Sequence, residues 1–355
     1  MGAPAMGAPA MGAPAMGAPV SRRRVLSIIA SGATALVAGR PTAAAAEADG
    51  SGGPVDSYVW EGTALGAPAR LVLLGASRAA ARDAVNLCLG EVERLEQQFS
   101  LYRWDSALSR LNRQGWLEAP GLDLQHLLDA SVRLGERTRG AFDVTVQPLW
   151  TAYADYFGGA SVAMAAEPPE SVIAPARARV GFRRLQITPE RITLDEGMAV
   201  TLNGIAQGYI TDRVADLLRL RGWSRVLVDM GEMRALGPAA DGSPWPVGIE
   251  VPPGVERRPV RVALADGAIA TSAGYATRFE PSGRSHHLFS PASGRSAGSF
   301  ASVTVVAPRA TLADALSTAL YVLPPADIAA VLAQWPGVVA YLTTSSGEVR
   351  RLPAA

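Results

Sequence analysis

The sequence predicts an α+β fold with mixed and antiparallel sheets and packed helices. Strand-like and helical runs follow one another without regular alternation, which argues against a doubly wound parallel sheet. Of the 355 residues, 48% are apolar and 6% aromatic, enough for a substantial core. The run Met198–Leu202 breaks at Asn203-Gly204 and passes directly into a helical pattern, so strands and helices mix within one unit.

The elements follow in chain order. Residues 1–20 repeat MGAPA and end in MGAPV; they carry no amphipathic period and are expected to be a disordered low-complexity stretch, with Met16 an equally good start. Ser21-Arg22-Arg23-Arg24 then precedes an apolar run from Val25 to Gly39, the pattern of a Tat-type signal peptide over 21–46. That run is too short and too rich in Gly and Ala to span a membrane convincingly. Thr42–Ala46 offers small-residue cleavage sites, and no Cys follows that could carry a lipid. A periplasmic or exported location is the expectation, ahead of an uncleaved membrane anchor. Residues 47–56 form a flexible lead-in, and 57–355 a single domain.

Within that domain strands are predicted at 57–61 and 69–74. A helix over 78–98 follows, capped by Ser77, with Ala81, Val85, Cys88, Leu89, Val92, Leu95 and Phe99 at helical spacing. A second helix spans 123–138 and ends before Gly140, and 158–175 reads as a surface excursion. Further strands are predicted at 191–195, 198–202, 225–230, 246–251, 260–265, 268–272, 285–289 and 301–306. Helices at 206–221 and 312–323 lie among them, and a helix at 326–335 with a strand at 338–343 closes the chain.

Composition removes several chemistries. The formal charge is +1, but the four arginines before Glu47 face no acid, and the remainder has 29 Arg against 32 Asp and Glu, a charge of −3. A mildly acidic body gives no reason to propose nucleic-acid binding. There is no lysine, which excludes a Schiff-base or P-loop lysine. Cys88 is the only cysteine, so no internal disulfide can form, and with only His126, His286 and His287 beside it no Cys/His zinc cluster is possible.

Five segments carry the chemistry. Thr201–Asp212, TLNGIAQGYITD, sets a glycine turn before a helix start, a geometry that presents backbone N–H groups to an anion such as phosphate. The second runs from Phe99-Ser100-Leu101-Tyr102 through Asp105-Ser106 to Leu111-Asn112. The third is Gly140-Ala141-Phe142-Asp143-Val144-Thr145, continuing to Gln147-Pro148-Leu149. The fourth is Thr271–Tyr275 with His286-His287-Leu288-Phe289-Ser290-Pro291. In the fifth, Ala313–Leu320, Asp314 and Thr318 stand four apart on one helix face, where a carboxylate and a hydroxyl can both offer hard oxygen to Mg²⁺. Asp314 equally suits the first turn of a helix capped by Thr311, and the residues alone leave both readings open. Adjacent strand residues point to opposite faces, so at most one of His286 and His287 should reach a given site, as a general base. Gly294-Arg295-Ser296-Ala297-Gly298 matches a nucleophile elbow, but a strand follows it where the elbow needs a helix.

Taken in order over roughly residues 58–345, these segments resemble the ApbE family, the FAD:protein FMN transferases. The resemblance implies an ApbE-like flavin transferase fold, FAD as substrate and Mg²⁺ as cofactor. It implies transfer of FMN from FAD to a threonine hydroxyl of an acceptor redox flavoprotein of the cell envelope, with release of AMP. It assigns Gly204, Asp314 and Thr318 to the metal and His287 to catalysis. FAD contacts fall on Leu65, Tyr102, Ala141, Phe142, Asp143, Thr201, Gln207 and Leu288. The chain departs from the family pattern at Thr201, where an acid is usual, and at Gln207, where a charged side chain is. A usual G-G-D turn reads Gly231-Glu232-Met233, and Ser290 replaces the Asp before Pro291. These departures keep two rivals in view, an FAD pyrophosphatase yielding FMN and AMP, and a non-catalytic FAD-binding or delivery protein.

Overall fold

The computed structural model describes residues 57–75, 77–159 and 167–353. The expectations for residues 1–56, the repeat, the signal and the lead-in, lie outside the described residues. No helix among the described residues is long and apolar enough to cross a membrane.

The strands are β1 (Tyr58–Ala64), β2 (Ala67–Leu73), β3 (Trp116–Glu118), β4 (Gln186–Ile187), β5 (Arg191–Thr193), β6 (Val226–Asp229), β7 (Met233–Leu236), β8 (Trp245–Gly248), β9 (Arg261–Leu264), β10 (Gly267–Ala273), β11 (Ser302–Ala307), β12 (Val339–Thr343) and β13 (Val349–Leu352). The helices are α1 (Arg78–Phe99), α2 (Ala107–Gln114), α3 (Leu122–Arg137), α4 (Gln147–Gly158), α5 (Glu170–Arg177), α6 (Ala206–Leu220), α7 (Ala310–Val322) and α8 (Pro325–Leu332). Eight strands form one antiparallel sheet in the order β1-β2-β6-β7-β10-β11-β12-β13, beside a three-stranded sheet and the β8–β9 hairpin. The α+β class is the observed one.

The period of two explains why both faces of the large sheet are covered. Leu71, Leu73, Val226 and Val228 point into the main core with α1, α6 and α7. Val72, Leu74 and Leu227 point the other way, onto Trp245 and Val247 of β8 and Val262 and Leu264 of β9. The helix over 78–98 forms as predicted, with the Ser77 hydroxyl accepting from Ala80 N–H at 3.3 Å.

Several expectations are corrected. Residues 198–202 form no strand; instead the Asn112 side chain bonds both the N–H (2.7 Å) and the C=O (2.8 Å) of Val200, doing the work of a neighbouring strand. Residues 285–289 make only isolated bridges at His286 and Phe289, within a long connection from β10 to β11. The strand predicted at 225–230 ends at Asp229, and the chain turns back at once as β7. In the expected excursion at 158–175, residues 160–166 lie outside the described residues, while 170–177 is α5, packed under α4. Pro148 sits in the first turn of α4, where a missing N–H costs nothing, and so starts a helix rather than stopping one.

Thr311 is not the cap of α7. The N-cap position is Arg309, without a side-chain cap bond, and the capping carboxylate comes from α6. Asp212, 1% exposed, accepts from Ala310 N–H at 2.9 Å, Thr311 N–H at 3.0 Å and the Thr311 hydroxyl at 2.6 Å. It also holds buried Arg234 of β7 and Arg309. This knot fixes α6, α7 and the sheet to one another. Replacing Asp212 by Ala leaves buried Arg234 with only the more distant Asp216 (3.9 Å) and uncaps α7, and should lower stability by about 3–5 kcal/mol in urea unfolding. A loss under about 1 kcal/mol would show that the knot does not hold the helices.

Candidate active site

A cleft of about 370 Å³ opens between the β1–β2 turn, the α1–α2 loop, the start of α6, the middle of α7 and the 274–301 connection. All twelve residues singled out in the sequence line it.

Its floor is built by close approach of α6 to α7. A Cβ on Gly208 would lie 2.3 Å from Ala310 O and 2.8 Å from the Asp314 Cβ, so only glycine lets the helices meet here. The Gly208 N–H reaches across to the Asp314 carboxylate at 3.0 Å. One turn on, the Thr318 hydroxyl lies against Gly204, where a Cβ would stand 3.0 Å from Thr318 Oγ1. Ser272 of β10 links the Thr318 hydroxyl (3.1 Å) to that of Ser317 (2.7 Å). Gly204, Asp314 and Thr318 thus meet in one corner.

Glu232, seen in the sequence only as a departure in a turn, also lines this corner and is 5% exposed. Gly231 beside it has φ +95°, and the Gln207 amide packs over that glycine. Burial raises the Asp314 carboxyl to about 7. Burial and the charge of Asp314 together push Glu232 well above the carboxylate range, with the Thr271 N–H opposing. No guanidinium among the described residues compensates either acid, unlike the buried Asp212. Two uncompensated carboxylates beside a hydroxyl and a backbone carbonyl form a hard-oxygen set that fits a divalent cation. No group of three or more His, Cys, Asp or Glu suited to a metal occurs among the described residues, so such a cation needs ligand oxygens from a bound phosphate or water as well.

The walls are chiefly apolar. Tyr102, 41% exposed, bonds the Asn203 side chain, and desolvation raises its pKa. Its loop is held by the Ser100 hydroxyl, which accepts from Tyr102 N–H at 3.1 Å and Arg103 N–H at 3.2 Å. Leu65 tips the β1–β2 hairpin in the left-handed region, φ 56°, followed by Gly66 at 74°, as a type I′ turn requires. The Glu96 carboxylate accepts its N–H at 2.8 Å. Phe142 is buried behind Gly204, with Ala141 half-buried beside it. Asp143 spends its carboxylate on its own chain, accepting from Thr145 N–H (2.8 Å), the Thr145 hydroxyl (2.5 Å) and Phe182 N–H (3.1 Å). It therefore shapes the wall more than it offers charge. Thr201 is tied by its N–H to Val144 O at 2.8 Å.

The two histidines part as expected. His286 is 4% exposed; its Nε2–H donates to Ala297 O at 2.6 Å, and its Nδ1 accepts from Leu288 N–H at 3.3 Å. Both ring nitrogens are used, and the ring meets Tyr321 edge-on at 5.7 Å. His287 lines the cleft. Its Nδ1 lies 3.2 Å from Thr277 O, which can only accept, so Nδ1 carries the proton and Nε2 keeps its lone pair. Burial lowers its pKa to about 4, with His286 adding to the fall, so it is neutral at pH 7. The hydroxyl of Ser296 in the elbow-like sequence is occupied by the His286 backbone, at 2.6 Å from O and 2.9 Å from N. No helix follows it.

The ApbE family model matches residues 65–342. The chain belongs to the ApbE family. A FAD:protein FMN transferase of Vibrio cholerae is 35% identical over 240 residues, 65% of this chain and 71% of the relative. One of Treponema pallidum is 33% identical over 295 residues, covering 75% and 79%. Among solved structures, the flavinyl transferase ApbE of Pseudomonas stutzeri, apo form, superposes with a TM-score of 0.70 at 29% identity, over 83% of this chain and 93% of that one. By family this ApbE member is a transferase with the ApbE fold.

The bonding of the two rings separates their roles experimentally. His286→Ala removes two buried ring bonds and should cost about 2 kcal/mol, whereas His287→Ala should cost less than half of that in the same denaturant titration. Equal losses would remove the distinction.

Proposed function

We propose that this chain is an exported, Mg²⁺-dependent FAD:protein FMN transferase that moves FMN from FAD to a threonine hydroxyl of an envelope redox flavoprotein. One observation carries the reading: the uncompensated Asp314–Glu232 pair lies on the floor of an apolar-walled cleft, beside a glycine turn that opens a helix. A dinucleotide has a diphosphate for that floor and a flavin ring for those walls. The twin-arginine segment and the names of the relatives support export and substrate respectively.

In this reading Gly204 O, Asp314 and Thr318 would hold Mg²⁺, which would supply positive charge to offset that of the diphosphate. The N–H groups of Ile205 and Ala206 at the start of α6 bond Leu202 O (3.0 and 2.8 Å) and that of Gly208 bonds Asp314 (3.0 Å), so the expected cradle of free N–H groups is not formed there and the cation would have to meet the phosphate charge. Tyr102 and Leu65 bound the flavin, and the exposed face of Tyr102 offers it a stacking surface. Gln207, over Gly231, keeps the Glu232 turn closed against the floor. The acceptor hydroxyl oxygen forms a bond to the FMN phosphorus, and the bond from that phosphorus to the oxygen of AMP breaks. AMP departs with the electron pair, and the hydroxyl proton passes to Nε2 of His287, neutral and held by Thr277 O.

The direct test incubates the protein with FAD, Mg²⁺ and an acceptor domain bearing a flavinylation threonine. Covalent flavin fluorescence on the acceptor is expected; FMN and AMP without it would mean a pyrophosphatase, and neither product a binder. Asp314→Ala should lower turnover by about 100-fold or more, and unchanged turnover would remove the metal assignment. His287→Ala should slow transfer by about 100-fold while changing FAD affinity less than about threefold. The reverse pattern would make His287 a flavin contact.

A further inference from the structure

Just outside the cleft, the α1–α2 loop carries an aromatic residue with no task inside it. Trp104 is 79% exposed, and its ring stacks on no aromatic or cationic group among the described residues. It does not line the cleft, but it stands two residues beyond Tyr102, which does. A solvated indole on a loose loop would mean little. This loop is tightly held. The Ser106 hydroxyl donates to Ser100 O at 2.5 Å, Ser106 N–H donates to Arg103 O at 3.1 Å, and Gln97 bonds Asp105 at 2.9 Å. Arg103 pairs with Glu93 at 2.7 Å, and Arg113 of α2 bonds the carbonyl of Trp104 itself. The backbone is ordered on all sides while the side chain stays in water.

The neighbours give the surface a charge. Arg110 and Arg113 stand three apart on α2, on one face, both exposed, and neither makes an ion pair among the described residues. The patch therefore combines an indole on a fixed backbone, two residues from the cleft-lining Tyr102, with two guanidiniums outside any ion pair among the described residues, that of Arg113 bonded to the Trp104 carbonyl. Preorganised Trp and Arg are the side chains that dominate protein-binding energy.

We propose that Trp104, with Arg110 and Arg113, is the docking surface for the acceptor polypeptide, and that it selects a segment pairing an apolar side chain with acidic ones. The inference rests on the transferase reading, since flavin transfer needs a macromolecular acceptor whose hydroxyl must enter beside Tyr102. The flavin needs no such surface outside the cleft.

The test measures acceptor binding separately from turnover. The full chain is immobilised, and the probe is a recombinant redox-flavoprotein domain carrying a flavinylation threonine. Kd is read by interferometry, and KM and kcat for transfer, with FAD affinity, are read in solution. Trp104→Ala should raise both Kd and KM for the domain about tenfold or more, with kcat and FAD affinity within about twofold. Arg110→Glu should raise Kd and flatten its salt dependence. Both side chains are exposed, so folding should survive, as unchanged thermal unfolding would verify. Unaltered acceptor Kd in Trp104→Ala, or weakened FAD binding instead, would overturn the proposal, as would failure of the wild-type chain to bind the domain. If the wild-type chain binds the domain through Trp104 but transfers nothing, the docking surface stands and the transferase reading alone falls.

Discussion

The contact between α6 and α7 governs the rest of the structure. Gly208 permits it by having no side chain, and Asp212 secures it by capping α7 from α6 while gripping Arg234 of the sheet. Two carboxylates at this helix interface, Asp212 of α6 and Asp314 of α7, thus have opposite fates. Asp212 is surrounded by donors and a guanidinium, the condition under which a buried charge is tolerated. Asp314, across the interface, has one backbone N–H and a second acid nearby. The same helix pairing that satisfies the first leaves the second short of positive charge. That shortage is what gives the cleft floor its chemistry.

The walls follow a related logic, in which polar groups are spent on geometry so that apolar surface can face the ligand. Asp143 uses its oxygens to bind Thr145 and Phe182, Ser100 fixes the turn below Tyr102, and Glu96 anchors the strained Leu65 turn. On the far side, His286 binds Ala297 and Leu288 and leaves the neighbouring His287 to the cleft. The aromatic cluster of Tyr153, Phe279 and Phe289 packs beneath this connection, with Tyr153 and Phe289 centroids 4.7 Å apart. It gives a segment without regular strands a fixed path.

How far the site could be read from sequence follows from the range of the interactions. Asp314 and Thr318 share a face because helical spacing is local, and glycine before a helix start is equally local. Leu65 and Tyr102 were reachable only through the resemblance, which also chose His287 from a histidine pair that the sequence had already marked as a candidate base. Glu232 escaped notice as a site residue because its significance lies in its distance to Asp314, not in its neighbours. The false strand at 198–202 has the same origin. Its apolar run is real, but the partner that pairs with Val200 is the side chain of Asn112, and periodicity carries no record of a side chain standing in for a strand. Short amphipathic helices such as α2 and α4 went unseen because eight to twelve residues give few turns over which a period can declare itself.

The departures at Thr201 and Gln207 gain meaning from the geometry. Gln207 packs its amide over Gly231, whose φ of +95° excludes most other residues, and this contact bears on the same turn that delivers Glu232. A charged group at 207 would stand near two buried acids and alter their balance; a neutral amide leaves their charge for a bound cation to offset. Glu232 stands at the second glycine of the usual G-G-D turn and Met233 at its aspartate, so the acid enters one position earlier and feels the charge of Asp314. Gln207 and Glu232 therefore act on one floor: the first withholds a charge from it, and the second brings an acid to it.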